Sequence, residues 1–205
     1  MVVSVMKSGF TQNTNDVGDL ISYGLILRNS NSSLSALDVK VTTTFLDSLG
    51  RSVGTDNQTI TGIPPAGTFN VGGSIAPNIS LTVARLRVSV KVGGSTAGPL
   101  ALPIVTNVIA KTGDSIFSSV AGSLRNPYTR LLPSDATIYI VYLNAQGQIV
   151  GGDNEPTGAA VSPGATVAFS DTLLSTSINP TTIVRASVDP DGFPVPGRGT
   201  IQCTQ

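Results

Sequence analysis

The stretch that decides the fold is Val39–Gly54, which reads V-K-V-T-T-T-F-L-D-S-L-G-R-S-V-G. Its first part alternates with a period of two residues, as a strand with one packed face and one solvent face does. The packed face carries Val39, Val41, Thr43 and Phe45, and the solvent face carries Lys40, Thr42 and Thr44. Asp47 and Gly50 stand where a type I turn with a following left-handed glycine prefers them. The pattern predicts an antiparallel β-hairpin.

The chain repeats this pattern ninety-seven residues later, at Ala136–Gly151, which reads A-T-I-Y-I-V-Y-L-N-A-Q-G-Q-I-V-G. The register holds without a gap from Leu27–Asn29 against Leu124–Asn126 to the end of both hairpins. The packed face of the second hairpin carries the inward row Ala136, Ile138, Ile140 and Tyr142. The repeat predicts two copies of one small domain in the 205 residues.

The predicted architecture is all-β, with two tandem immunoglobulin-like antiparallel β-sandwiches, because short strands recur at intervals of roughly 8–12 residues with turn residues between them. The first domain is expected at 1–94 and the second at 104–205, with a Gly- and Pro-containing linker at 95–103. Seven strands are expected in each copy, and the polar segment Thr11–Asp19 is expected to be a loop. Two such copies on a short linker would form a rod.

Composition excludes several function classes. Twelve basic and twelve acidic residues leave no net charge, which disfavours nucleic acid and anionic membranes as partners. The chain lacks histidine, the commonest general base, and its single cysteine, Cys203, permits no internal disulfide. No apolar run is long enough to span a membrane, and Met1–Phe10 does not read as a signal peptide. Any export signal or anchor is expected outside this fragment.

Each copy resembles the FxLYD family of bacterial extracellular domains, which are also described as fibronectin- or immunoglobulin-like. The resemblance rests on the Leu-Arg-Asn strand, the glycine turn, a later Pro-Gly, and the segments Phe45–Asp47 and Tyr142–Asn144. These two segments exchange the order of the family's Leu-Tyr-Asp. The resemblance implies a cell-surface or secreted setting and brings no catalytic or cofactor-binding residue with it. We therefore expect a non-catalytic structural or interaction module, a spacer or protein-binding domain, with no cofactor.

The second copy has an unusual outward face. At the outward positions its hairpin carries the apolar row Tyr139, Val141 and Leu143. One interpretation is that the other domain covers this face. The alternative is that this face, or the loop Thr11–Asp19, is the binding surface of an adhesin-like module for an unknown protein or glycan.

Other polar groups have simpler explanations than a site. Asp189–Gly192 looks like half of a calcium loop, but no further acidic residue follows, and a Pro-Asp-Gly turn explains the same letters. Arg28 with Asp38, and Arg125 with Asp135, are expected to be cross-strand ion pairs. Lys111 near Ser115 could form a Ser-Lys arrangement only by coincidence of composition. No catalytic and no metal-binding residue is predicted.

Overall fold

The computed structural model describes residues 2–15, 18–76, 82–112, 118–173 and 183–189. These residues form twelve β-strands, and none of them lies in a helix. The strands of the N-terminal half are β1 (Val3–Asn15), β2 (Gly18–Asn29), β3 (Leu34–Leu46), β4 (Ser52–Ile63), β5 (Thr68–Ile75) and β6 (Arg85–Ala97). Those of the C-terminal half are β7 (Ile104–Thr112), β8 (Ser118–Arg125), β9 (Thr137–Leu143), β10 (Ile149–Pro156), β11 (Thr166–Leu173) and β12 (Ile183–Asp189). The predicted all-β class is confirmed.

The strands form four antiparallel sheets of three strands each. The sheets of the N-terminal half have the orders β1-β2-β5 and β4-β3-β6, and those of the C-terminal half have the orders β7-β8-β11 and β10-β9-β12. The strand order of the first half therefore recurs in the second, strand for strand. This agrees with the sequence repeat, because the same succession of alternating segments and turns leads to the same pairing.

The two hairpins at the centre of the repeat adopt the predicted geometry. Gly50 has a φ of 80° and Gly147 a φ of 70°, and the amide of each donates to the carbonyl three residues earlier. The register shifts by one residue beside each turn, at Phe45/Leu46 and at Ile149/Gly151. The left-handed glycine thus closes the turn and forms the bulge that lets the strands pair again.

We expect Gly50→Val and Gly147→Val each to lower the free energy of unfolding by about 1 kcal/mol or more, because a β-branched side chain is strained at positive φ. Denaturant titration of both variants would measure the loss. Unfolding midpoints equal to that of the parent would show that the turns do not depend on the left-handed residue.

The four sheets are stacked in the order β4-β3-β6, β1-β2-β5, β10-β9-β12 and β7-β8-β11. Tyr23, Leu25 and Leu27 of β2 pack on Val39 and Phe45 of β3 to form the first core. The core of the C-terminal half lies between β8 and β9, and includes the inward row predicted from the sequence, namely Ala136, Ile138, Ile140 and Tyr142. The two middle sheets then pack on each other, so that both of their faces are buried.

Four expectations differ from this structure. Thr11–Asn15 is not a loop but continues β1, where it pairs with β2 up to Asn15 opposite Gly18. Residues 95–97, expected to begin the linker, are the end of β6 and pair with β3. Each half shows six strands in the described residues, where seven were expected. The halves stack face to face and do not extend end to end as a rod, because each has a face suited to the other.

Candidate functional site

The candidate binding surface of β9 is covered by the N-terminal half. Tyr139 is 5% exposed, Val141 is fully buried, and Leu143 is 2% exposed. Tyr139 meets the ring of Phe69 edge to face, with ring centroids 5.8 Å apart, and Val141 and Leu143 form a small apolar cluster with Ile26 and Ile149. The interpretation of these three residues as an open binding surface is therefore corrected. Their apolar character serves the contact between the halves.

The opposite side of this contact is a glycine face on the sheet β1-β2-β5. A Cβ atom at Gly72 would lie 1.9 Å from the carbonyl oxygen of Ile140, and one at Gly9 would lie 2.0 Å from that of Ile149. Gly24 faces the carbonyl oxygen of Gly151 in the same way, at 2.6 Å. Backbone therefore lies against backbone between the two sheets, at distances that no side chain would permit. The glycine face cannot be recognised from the sequence pattern, because glycine contributes nothing to a hydrophobic pattern.

Hydrogen bonds fasten the two halves around the glycine face. Ser22 Oγ donates to the carbonyl of Gly152 at 2.7 Å and accepts from the amide of the same residue at 2.9 Å. Asn70 donates to Ser187 Oγ from both its backbone amide and its side chain, at 3.1 and 3.0 Å. At the periphery, Lys7 Nζ donates to the carbonyl of Gly147 at 3.0 Å. These bonds satisfy backbone groups that the close approach of the sheets removes from water.

Asp189 also belongs to this contact. Its side chain is 2% exposed, and its Oδ2 accepts a hydrogen bond of 2.7 Å from the backbone amide of Thr61. Burial, followed by the negative charge of Asp189, raises the pKa of the Tyr128 phenol above its ordinary value. Asp189 is thus a buried acceptor that ties β12 to β4.

Residues 190–192 of the suspected calcium loop lie outside the described residues. Within the described ranges, no three acidic, histidine or cysteine side chains are grouped as metal ligands.

A recurring buried asparagine holds the loops of both halves. Asn29 is fully buried, and its Nδ2 donates to the carbonyls of Leu34, Ile63 and Pro64 at 2.8, 3.2 and 3.1 Å. Its Oδ1 accepts from the amide of Asn31 at 3.0 Å. The equivalent Asn126 is also fully buried, and it donates to Arg130 and Val161 and accepts from Tyr128. The repeated Leu-Arg-Asn motif drew attention to this position, but the motif alone did not reveal its role.

A polar cluster lies at the edge of the first core. Tyr23 Oη donates to Asp56 Oδ2 at 2.5 Å, and Gln58 Nε2 donates to Tyr23 Oη, to Asp56 Oδ2 and to the carbonyl of Gly72. Burial, and then the hydrogen bond to Asp56, raise the pKa of Tyr23 far above its ordinary value. The phenol is therefore a fixed hydrogen-bond donor and not an acid–base group. Val120 replaces this tyrosine at the corresponding position of the C-terminal half.

Asp47 and Asn144 hold the two hairpin turns by the same bonds. Asp47 Oδ1 accepts from the amides of Leu49 and Arg51, and Asn144 Oδ1 accepts from those of Gln146 and Gln148. Asp47 also forms an ion pair with Arg51, whose Nε lies 2.7 Å from its Oδ2. Desolvation acts to raise the pKa of Asp47, but the hydrogen bonds and the charge of Arg51, with the Leu49 amide, outweigh it and lower the pKa.

The turn residue is a carboxylate, Asp47, in the first half and an amide, Asn144, in the second. Only the first turn is therefore expected to make the stability of the protein depend on pH. A carboxyl group whose pKa is lowered by folding stabilises the protein above its unfolded pKa, here 3.8, and that contribution disappears as the pH falls through the lower folded value. We expect Asp47→Asn to keep both backbone bonds, as Asn144 does, and to flatten the stability profile below pH 3.8. Thermal melts of parent and variant between neutral and acidic pH would measure this. Parallel profiles would contradict it.

The structure separates one of the other candidate pairs. Arg28 lies on β2 and Asp38 on β3, which belong to different sheets, so the expected cross-strand pair is wrong. Ser115, which was considered together with Lys111, lies outside the described residues. An open cavity of about 550 Å³ is lined by Lys7, Ser8 and the segment Gln146–Val150. A slot of about 300 Å³ between β10 and β11 is lined by Ile138, Ile140 and Phe169.

No family model matches this chain, and no curated protein is significantly similar to it. None of the described residues forms a helix of the length and apolar character needed to cross a membrane.

Proposed function

We propose that this chain is a non-catalytic structural and interaction module of a bacterial cell-surface or secreted protein, in which it acts as a rigid spacer. The observation that carries the proposal is the contact between the halves. Backbone lies against backbone at Gly9, Gly24 and Gly72, and buried hydrogen bonds from Ser22 and to Asp189 surround the contact. A joint of this kind resists bending, which is the property that a spacer needs.

The use of the buried polar groups supports the same proposal. The side chains of Asn29, Asn126 and Asp189 form hydrogen bonds with backbone groups of neighbouring loops and strands. Tyr23 is held in its protonated form by burial and by Asp56. These buried side chains therefore stabilise the fold by connecting its loops and strands. The FxLYD resemblance adds the cell-envelope setting to the proposal, with an unknown protein or glycan as partner.

Force spectroscopy on the whole chain, pulled from its two ends, tests the spacer role. We expect the chain to keep its length under rising load and to lengthen only when a half unfolds. Separation of the two halves at low force, before either half unfolds, would contradict a rigid spacer. A panel of hydrolase substrates would test the non-catalytic part, and turnover by purified protein would overturn it.

A further inference from the structure

The strand β6 has one edge that no other described strand covers. It pairs with β3 along its length, from Arg85 opposite Leu46 to Ala97 opposite Leu34. It is the outermost strand of the sheet β4-β3-β6, and no further strand in the described ranges pairs with it. Backbone N–H and C=O groups of every second residue therefore point outward along a strand of thirteen residues. Such an edge is a template for another strand.

The side chains of β6 that face the core are incompletely covered. Leu86, Val88, Val90 and Val92 are all only partly buried. In β3, next to them in the sheet, Val39 and Phe45 are fully buried. On β4, the opposite edge strand, Ile60 is fully buried and Val53 is 7% exposed. The core thus has more cover at its β4 edge than at its β6 edge, and a strand added beside β6 would supply apolar side chains to the latter.

The solvent face of the same edge is basic. Arg85, Arg87 and Lys91 alternate along it, and all three are exposed. Lys91 lies directly opposite Lys40 of β3, and like charges in this relation repel each other. The acidic residue of β3 is Asp38, which is half-buried and lies beside Gly93. An incoming strand with carboxylates on its solvent face would relieve the repulsion along this edge.

The same charges disfavour a second copy of this chain as the added strand. Two β6 strands paired antiparallel around Val88 or Ser89 would place Arg85 or Arg87 opposite Lys91. Basic residues at an edge are a common protection against such self-pairing. In these registers a second β6 strand is unfavourable, and a strand that carries acidic residues fits the edge better.

We propose that the open edge of β6 binds an extended segment of a partner protein, in which apolar residues alternate with acidic ones. The segment adds a fourth strand to β4-β3-β6, its apolar residues cover Val88 and Val90, and its carboxylates lie beside Arg87 and Lys91. This inference deepens the proposed interaction role and rests on it. The spacer role does not depend on it, because β4, the strand of this sheet that reaches the contact between the halves through Thr61, is the edge opposite to β6.

The test uses the whole chain and two blocked nine-residue peptides, one alternating valine or threonine with glutamate and one alternating the same residues with lysine. We expect the glutamate peptide to bind at least tenfold more tightly by fluorescence anisotropy. Amide hydrogen exchange should slow at alternate residues of β6. No binding, equal binding of both peptides, or protection at another edge would overturn the proposal.

Charge reversal supplies the matched variants. The double variant Arg87→Glu and Lys91→Glu should exchange the preference, so that the lysine peptide binds more tightly. Arg125→Glu, an exposed arginine on β8 of the C-terminal half, should leave the preference unchanged. A concentration-dependent dimer of the parent chain that protects β6 without any peptide would overturn the proposal in favour of a second copy. Force spectroscopy judges the spacer role separately, so either proposal can fail alone.

Discussion

Replacing Gly72 by valine is expected to lower the free energy of unfolding by at least about 3 kcal/mol, the upper end of the usual cost of overpacking. The reason is the place of Gly72 in the contact between the halves. Its Cα lies over the paired residues Ile140 and Asp153, and an added Cβ would meet the carbonyl oxygens of both, at 1.9 and 2.4 Å. These are backbone atoms held in a β-ladder, so they cannot move aside as a flexible side chain would. The two middle sheets must separate to admit the side chain.

The repeat offers a matched control for this variant. Ser170 pairs with Ala121 in the outer sheet β7-β8-β11, as Gly72 pairs with Gly24 in β1-β2-β5. Ser170 is exposed, so Ser170→Val places the same side chain at the same position of the repeat without a sheet above it. We expect its stability to stay within about 0.5 kcal/mol of the parent.

Two measurements would distinguish separation of the halves from unfolding of one half. Small-angle scattering of the parent should give a radius of gyration of about 17 Å, as expected for a compact chain of this length. A folded Gly72→Val variant should show a clearly larger value, with its far-ultraviolet circular dichroism retained. Equal denaturant midpoints and equal radii for Gly72→Val and the parent would show that the glycine face does not govern the contact.

One side of this contact can be predicted from the sequence, and the other side cannot. Tyr139, Val141 and Leu143 stand out because they form an apolar row at outward positions, and one interpretation placed the other half over them. The complementary face could not be predicted. Gly24 and Gly72 act through the absence of a side chain, and a glycine within a strand reads equally well as a bulge or a weak strand. Only the packing of one sheet on the other distinguishes these cases.

The segment after Phe10 shows a second limit. Thr11–Asn15 has the Asn and Thr content of a loop and no apolar alternation, yet it continues β1. Its strand is stabilised by backbone pairing with β2, and by bonds such as Thr11 Oγ1 to the carbonyl of Val150 at 2.5 Å and Gln12 Oε1 from the amide of Val83 at 2.8 Å. The partner groups, the carbonyl of Val150 and the amide of Val83, are remote in sequence from β1. Such partners cannot be predicted from the local composition, whereas the hairpin turns at Gly50 and Gly147 are determined within four residues.

Replacing Asn29 by aspartate is expected to cost at least about 3 kcal/mol, although the two side chains have nearly the same shape. Asn29 Nδ2 donates to three backbone carbonyls, those of Leu34, Ile63 and Pro64. A carboxylate has no proton to donate, so it would turn negative charge toward these oxygens in a fully buried position. Burial would also favour the protonated form of the new carboxyl, so its folded pKa would exceed its unfolded one. The variant should therefore lose further stability as the pH rises from acidic to neutral.

The repeat and the exposed surface supply the comparisons for this prediction. Asn126→Asp should behave alike, because Asn126 is equally buried and donates to the carbonyls of Arg130 and Val161. Asn57→Asp makes the same chemical change on the exposed face of β4, where the side-chain oxygen only accepts from Thr42, and we expect a change of no more than about 0.5 kcal/mol. Urea titrations at pH 5 and pH 7.5 would compare the three variants. If Asn29→Asp were as stable as Asn57→Asp, the buried asparagine would not be what holds the loops together. In that case the recurrence of Leu-Arg-Asn would need another physical explanation.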